Sequence, residues 1–258
     1  MRQLVAFALL LAVLPAASLL SAGTITIAPG PSPNGSYLPL STFGVPPIAG
    51  VGDDTSTSFV VPGFLFGGVQ FTSINVGSNG YITVGGDSAA TNVNQNLPNP
   101  GVPNGVIAPF WTDLNPSAGG VDSGVRAATL TNGSSSWLVV DWYLVPNFSD
   151  STTNSFEVWL GLNSGAGTGL EDISFAYGAV GAGNGGFLTV GAENIFGTVG
   201  AVRFYNGAGT IPVNGTQLVV SSTGSPNLPN NVPEPATAGL LGAGLVAVSL
   251  AWRKFRRA

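Results

Sequence analysis

From Ser58 to Val220 the chain is a succession of short apolar runs, each closed by Gly, Asn, Pro or Asp, and that rhythm constrains the fold more than any other feature. The runs are Ser58–Phe66, Val69–Val76, Tyr81–Val84, Val106–Trp111, Val125–Leu130 and Trp137–Val145. They continue with Ser155–Leu162, Asp172–Tyr177, Phe187–Ala192, Ala201–Tyr205 and Gln217–Val220. Val, Ile, Thr, Phe and Tyr dominate them, and none keeps a 3.6-residue period over the length of a helix. Many short strands in a chain with 38 Gly and 19 Pro predict an all-β fold, an antiparallel β-sandwich. Helix is expected only at the two ends, as an N-terminal signal helix and a single C-terminal transmembrane helix.

Local detail sharpens this expectation. Ser78-Asn79-Gly80-Tyr81 predicts a type I′ hairpin turn, because Asn-Gly tolerates positive φ at both central positions. Alternation places Phe156, Val158, Leu160 and Leu162 on one face of a half-buried strand, with Glu157 on the other. Trp137–Val145 is apolar on both faces apart from Asp141, which marks a central strand covered on both sides. Residues 24–54 read as an extended lead-in, 55–222 as the β-domain and 223–231 as a flexible spacer.

The ends read as addresses. Arg2, the apolar run Leu4–Leu14 and the small residues Ser21-Ala22-Gly23 have the layout of a secretory signal peptide spanning 1–23, with cleavage after Ser18 as the alternative. That apolar run falls well short of the roughly 20 residues a membrane span requires. At the other end Val232-Pro233-Glu234-Pro235 precedes an apolar stretch, Ala236–Trp252, of 17 residues, followed by Arg253, Lys254, Arg256 and Arg257. The stretch is just long enough to span a bilayer, and the basic stop would stay cytoplasmic. Pro233 and Pro235 keep the motif extended outside the bilayer, where a protease could accept it. This order resembles the PEP-CTERM sorting signal that bacterial exosortases recognise and cleave. The resemblance implies an exported, inner-membrane-anchored precursor that ends at the cell surface or outside the cell.

Removing both ends leaves only Arg126 and Arg203 against eleven carboxylates between Asp53 and Glu193, a net charge of −9. Such a surface cannot neutralise phosphates, which excludes nucleic-acid binding. With no cysteine there is no disulfide, thiolate or zinc–sulfur chemistry, and stability must come from a hydrophobic core. With no histidine there is no Ser-His-Asp or Cys-His machinery and no H-E-x-x-H metal site.

Several apolar and aromatic segments follow one another in a fixed order along this part of the chain. They are Phe64-Leu65-Phe66-Gly67, Ile74-Asn75-Val76-Gly77-Ser78-Asn79-Gly80-Tyr81-Ile82-Thr83-Val84-Gly85 and Val106-Ile107-Ala108-Pro109-Phe110-Trp111-Thr112-Asp113-Leu114. Val139-Val140-Asp141-Trp142, Phe156-Glu157-Val158 and Ile173-Ser174-Phe175-Ala176-Tyr177-Gly178 complete the series. In this order the segments resemble the nidogen-like (NIDO) extracellular β-domain family, and the resemblance implies an adhesive or matrix role and brings no catalytic residues. The chain lacks the cysteines and EGF-like modules of the animal family.

Carboxylates are the remaining acid–base groups. Asp113, Asn115 and Asp122 lie in or beside a Gly-rich loop and could offer oxygens to calcium, although no EF-hand loop pattern is present. Turn and cap hydrogen bonding accounts for the same residues. Asp141, among Val139, Val140, Trp142 and Tyr143, reads either as an acid held by hydrogen bonds or arginine, or as a catalytic group with a raised pKa. Paired with Glu157 it would suit a carboxylate-only glycosidase. Trp111 and Trp159 are the aromatic candidates for a glycan-stacking platform, which would make the domain a carbohydrate-binding module for exopolysaccharide. The leading expectation is adhesion or interaction with matrix proteins or exopolysaccharide rather than turnover, with no cofactor beyond calcium and with an exosortase as processing partner.

Overall fold

The computed structural model describes residues 23–162 and 173–223. The expected signal peptide, the spacer beyond Thr223 and the whole sorting segment, from Val232–Pro235 through Arg253, Lys254, Arg256 and Arg257, lie outside the described residues. Among the described residues no helix is long and apolar enough to cross a membrane.

Each of the eleven apolar runs becomes a strand. Ser56–Phe66 (β2), Val69–Gly77 (β3), Ile82–Thr83 (β4) and Val106–Trp111 (β5) form a meander, paired antiparallel in sequence order. The chain then crosses to a second meander of Gly124–Thr131 (β6), Ser136–Pro146 (β7), Thr153–Leu162 (β8) and Ile173–Tyr177 (β9). Thr189–Glu193 (β10), Gly200–Tyr205 (β11) and Ala208–Gly209 (β12) return to the first sheet beside β5. Gln217–Thr223 (β13) returns to the second, beside β9. The outer neighbour of β13 is Thr24–Pro29 (β1), whose Thr24 faces Thr223. The lead-in therefore begins as an integral strand, and the domain extends back to Thr24.

The two sheets, of six and seven strands, enclose one large apolar core. Phe156, Val158, Leu160 and Leu162 all point into it, as their alternation predicts, and Trp142 stacks on Phe156 at 5.1 Å between ring centroids. Strand β7 lies inside its sheet and is covered on both faces over most of its length.

The hairpin at Asn79-Gly80 departs from type I′. Only Gly80 takes positive φ, at 78°. A Cβ at Gly80 would come within 2.0 Å of the Phe110 carbonyl oxygen, so close approach fixes glycine there as firmly as the backbone angle does. Asn79 stays out of the left-handed region because its buried side chain joins three loops. It accepts from Leu114 N and donates to Asp54 and to the Ala90 carbonyl.

Strand register gives the sandwich two distinct ends. At the near end Thr24 meets Thr223, and Ser136 faces both Thr131 and Leu162. At the far end Pro146 faces Thr153, Gly124 faces Tyr143 and Gln217 faces Ala176. The bridge between Leu114 and Asn147 and the pairing of Trp111 with Thr189 bring the end of β5 and the start of β10 to the same far end.

Candidate functional site

Outside the central core, each sheet has its own cover. The outer face of the seven-stranded sheet carries Tyr81, Val106, Ala108 and Trp111, roofed by Ala89 and Leu97 from the long β4–β5 connection. Trp111 stacks on Tyr81 at 4.4 Å and donates its indole N–H to the Thr91 carbonyl, while Thr91 N donates to the Tyr81 hydroxyl. Trp111 is therefore fully buried and presents no ring face to a sugar, contrary to the expected platform.

The outer face of the six-stranded sheet is covered by the lead-in, including a 3-10 turn at Leu40–Phe43. Under it, register lines up Arg126, Asp141 and Glu157 across β6, β7 and β8. Asp141 accepts from the Tyr37 hydroxyl at 2.8 Å and from Leu40 N at 2.9 Å, and Glu157 Oε1 accepts from Leu38 N at 3.0 Å. Arg126 donates to the main-chain carbonyls of Val45, Gly124 and Asp122, and its guanidinium lies 5.3 Å from the Tyr143 ring centre. The expected half-buried strand is thus buried on both faces, because the lead-in covers it and supplies Leu38 N, Leu40 N and the Tyr37 hydroxyl as donors to carboxylates that would otherwise need water.

Burial dominates the protonation of this row. It pushes Asp141 up to about 6 against the lowering effects of Tyr37, Leu40 and Arg126. It pushes Glu157 up to about 8, with the Asp141 charge adding to the rise and Trp159 and Leu38 opposing it. The Trp159 indole N–H is near enough to lower this pKa but makes no hydrogen bond of ordinary geometry, so Glu157 Oε2 and Trp159 Nε1 are both left unpaired. Asp141 and Glu157 do meet, but both are fully buried under the lead-in. They function in this structure as anchors for that segment.

Trp159, only 3% exposed, meets Trp137 edge-on at 6.1 Å. The two indoles floor a shallow depression of about 220 Å³ with Leu38, Phe43, Leu130 and the polar rim of Asn34 and Asn132. Phe43 is the exposed ring there.

The three residues expected to bind calcium do not converge. The Asn115 side chain caps the 3-10 turn Pro116–Ala118 by accepting from Ser117 N, and Asp122 lies exposed beside Arg126. Asp113 instead joins Asp53 and Asp54, with one oxygen of each carboxylate within 4.8 Å of the others. Burial, then the charges of Asp54 and Asp53, raise Asp113 to about 6. The set is a hard-cation donor chemistry with half or fewer of the six to eight oxygens calcium takes. Asp113 lies about sixty positions from the adjacent pair Asp53 and Asp54, so motif spacing could not reveal the set.

Two family models match the chain. One, described as NIDO related, covers residues 32–237; the other, the PEP-CTERM protein-sorting motif, covers residues 231–257. Neither a search of curated proteins nor a search of solved structures gave a significant match.

Proposed function

Since the chain belongs to the NIDO-related family, we propose that it is an exported bacterial surface or matrix protein that acts by adhesion. The PEP-CTERM motif implies recognition by an exosortase and an exported, membrane-anchored precursor. In this reading a signal peptide of residues 1–23 directs export. Ala236–Trp252 then holds the precursor in the inner membrane, with Arg253, Lys254, Arg256 and Arg257 on the cytoplasmic side. Cleavage falls near Val232–Pro235 and frees the domain for the surface.

The sorting-motif match at 231–257 carries the reading. The adjacency of Thr24 and Thr223 fits it, since both processed ends then leave the domain at one place. From Thr223 to Ala236, where the apolar stretch begins, an extended chain reaches at most about 43–47 Å, so the near end is the tethered end until cleavage. Binding rather than turnover is supported by the absence of His and Cys and by the sealing of Asp141 and Glu157 beneath the lead-in.

Mass spectrometry of the native protein's C-terminus tests the proposal. A terminus near Pro235 is expected, and one beyond Trp252 overturns processing. The Trp137–Trp159 depression, with its Asn rim and the exposed Phe43, favours a second reading, a carbohydrate-binding module for exopolysaccharide. A glycan array on which no polysaccharide binds would remove it.

A further inference from the structure

The far end of the sandwich collects exposed apolar side chains in polar loops. Phe148, in the β7–β8 loop, is 56% exposed, and Phe187, just before β10, is 61% exposed. They are two of the three exposed phenylalanines among the described residues, and Val121, fully exposed, and Val213 belong to neighbouring far-end loops. Phe148 also lines an open cleft of about 380 Å³ with Pro146, Asn147 and Asp150 on one side and Gly119 and Gly120 on the other.

This exposure is imposed by the fold. Phe148 N donates to the Asp113 carbonyl at 3.1 Å, and the Thr112 hydroxyl donates to the Phe187 carbonyl. Asn184 ties the two loops together: its side-chain oxygen accepts from Ser149 N, its amide donates to Asp113, and its backbone N–H donates to Thr112 Oγ1. The backbone at both phenylalanines is thus tied by hydrogen bonds to one dipeptide at the end of β5, so binding need order only the ring torsions. Apolar groups held into water at one end of a domain mark an interaction surface.

The charge around them selects the partner. Asp53, Asp54, Asp113, Asp122 and Asp150 all lie in far-end loops, and four of the five are exposed. Of the two arginines among the described residues, Arg126 is buried and bonded to main-chain carbonyls, and Arg203 lies within β11. A second copy of this acidic chain, an acidic polysaccharide or an anionic lipid surface would each meet like charge. A lysine or arginine bearing an aliphatic stem suits both components, since carboxylates attract its charge and Phe faces attract cations and apolar stems. We propose that the loop end carrying Phe148 and Phe187 is the adhesive surface, and that its partner is a Lys/Arg-bearing protein surface. The outward orientation of this end rests on the membrane-tethered precursor proposed above; the partner chemistry does not.

The test uses the full-length chain in detergent, with binding read by interferometry. The probe is a dodecapeptide alternating Lys and Leu, compared with poly-L-glutamate, neutral dextran and phosphatidylglycerol vesicles. Phe148→Ser with Phe187→Ser is expected to weaken peptide binding by about tenfold or more. Val60→Ser, at an exposed position in the middle of the edge strand β2, is expected to leave it unchanged. Asp53→Asn with Asp122→Asn should weaken binding and flatten its salt dependence even if the phenylalanine variants fold poorly. Unchanged binding in both tip variants, an equal loss in Val60→Ser, or preference for any of the comparison probes overturns the proposal. Because the chain has no cysteine, Ser134→Cys at the near end and Ser151→Cys at the far end can each carry one fluorophore. In inner-membrane vesicles a bilayer quencher should dim the label at 134 more than that at 151. Equal quenching overturns the tethering while leaving the peptide result standing.

Discussion

The two outer covers do the same work by opposite means. The β4–β5 connection seals its sheet with an apolar stack, Tyr81 on Trp111, whose ring edges are tied down through Thr91; its link to a buried carboxylate, Asn99 N to Glu193, lies elsewhere in the loop. The lead-in seals the other sheet partly with Leu40 against Trp137 and Trp159, but it is fastened by buried carboxylates. The Tyr81–Trp111 stack itself is indifferent to pH. The lead-in, pinned through Asp141 and Glu157, titrates at its centre, whereas the β4–β5 connection meets a titrating group only where Asn99 bonds Glu193.

The severest test of that contrast is Trp111→Ala. It should cost about 3–5 kcal/mol in chemical denaturation, by the same amount at pH 5 and pH 8. A cost that changed with pH would erase the distinction between the covers. Tyr37→Phe should cost about 1–3 kcal/mol, because it strips a hydrogen bond from a fully buried carboxylate, and more at pH 8 than at pH 5 since the ionised form depends on it more.

The wild-type domain should itself be less stable at pH 8 than at pH 5. Glu157 titrates near 4.5 when unfolded and about 8 when folded, and Asp141 near 3.8 and about 6. The folded state therefore holds protons that the unfolded chain has released. Their stabilisation is complete below the unfolded values and is lost as pH rises through the folded ones. Glu193, raised by burial to about 7, adds to the same slope. A fall in Tm of at least about 2–4 °C is expected, the shift 1 kcal/mol makes in a domain of this size. Glu157→Gln should flatten it. Phe43→Ser, at the edge of the lead-in cover, should change stability by less than about 0.5 kcal/mol. Its use is to separate the depression's role in binding from the cover's role in folding.

The strands were legible because each carries its own signal. Val106–Trp111 and Phe156–Leu162 declare themselves by apolar content and alternation, whatever they pair with. Strand β1 was not, since Thr24–Pro29 is a short alternation in a Pro- and Gly-rich stretch and becomes a strand only through β13, nearly two hundred positions away. The same limit hid the sites. That Asp141 sits opposite Glu157 follows from the β7–β8 register, and that Tyr37 closes over both follows from where the lead-in runs. Trp111 and Trp159 looked alike as aromatic residues on strands. Only the covers, which are loops without periodicity, decide that Trp111 is sealed completely while Trp159 floors a depression.

The pairing of β13 has a mechanical consequence. This strand leads directly toward the tether, and it lies antiparallel to β1 on one side and β9 on the other. A load between the far-end loops and the membrane would run along β13. Ladder hydrogen bonds in antiparallel pairs stand perpendicular to the strands, so both rows would be sheared together rather than peeled one bond at a time. The last strand of the domain is placed as a clamp, which would resist a pull on the anchored precursor.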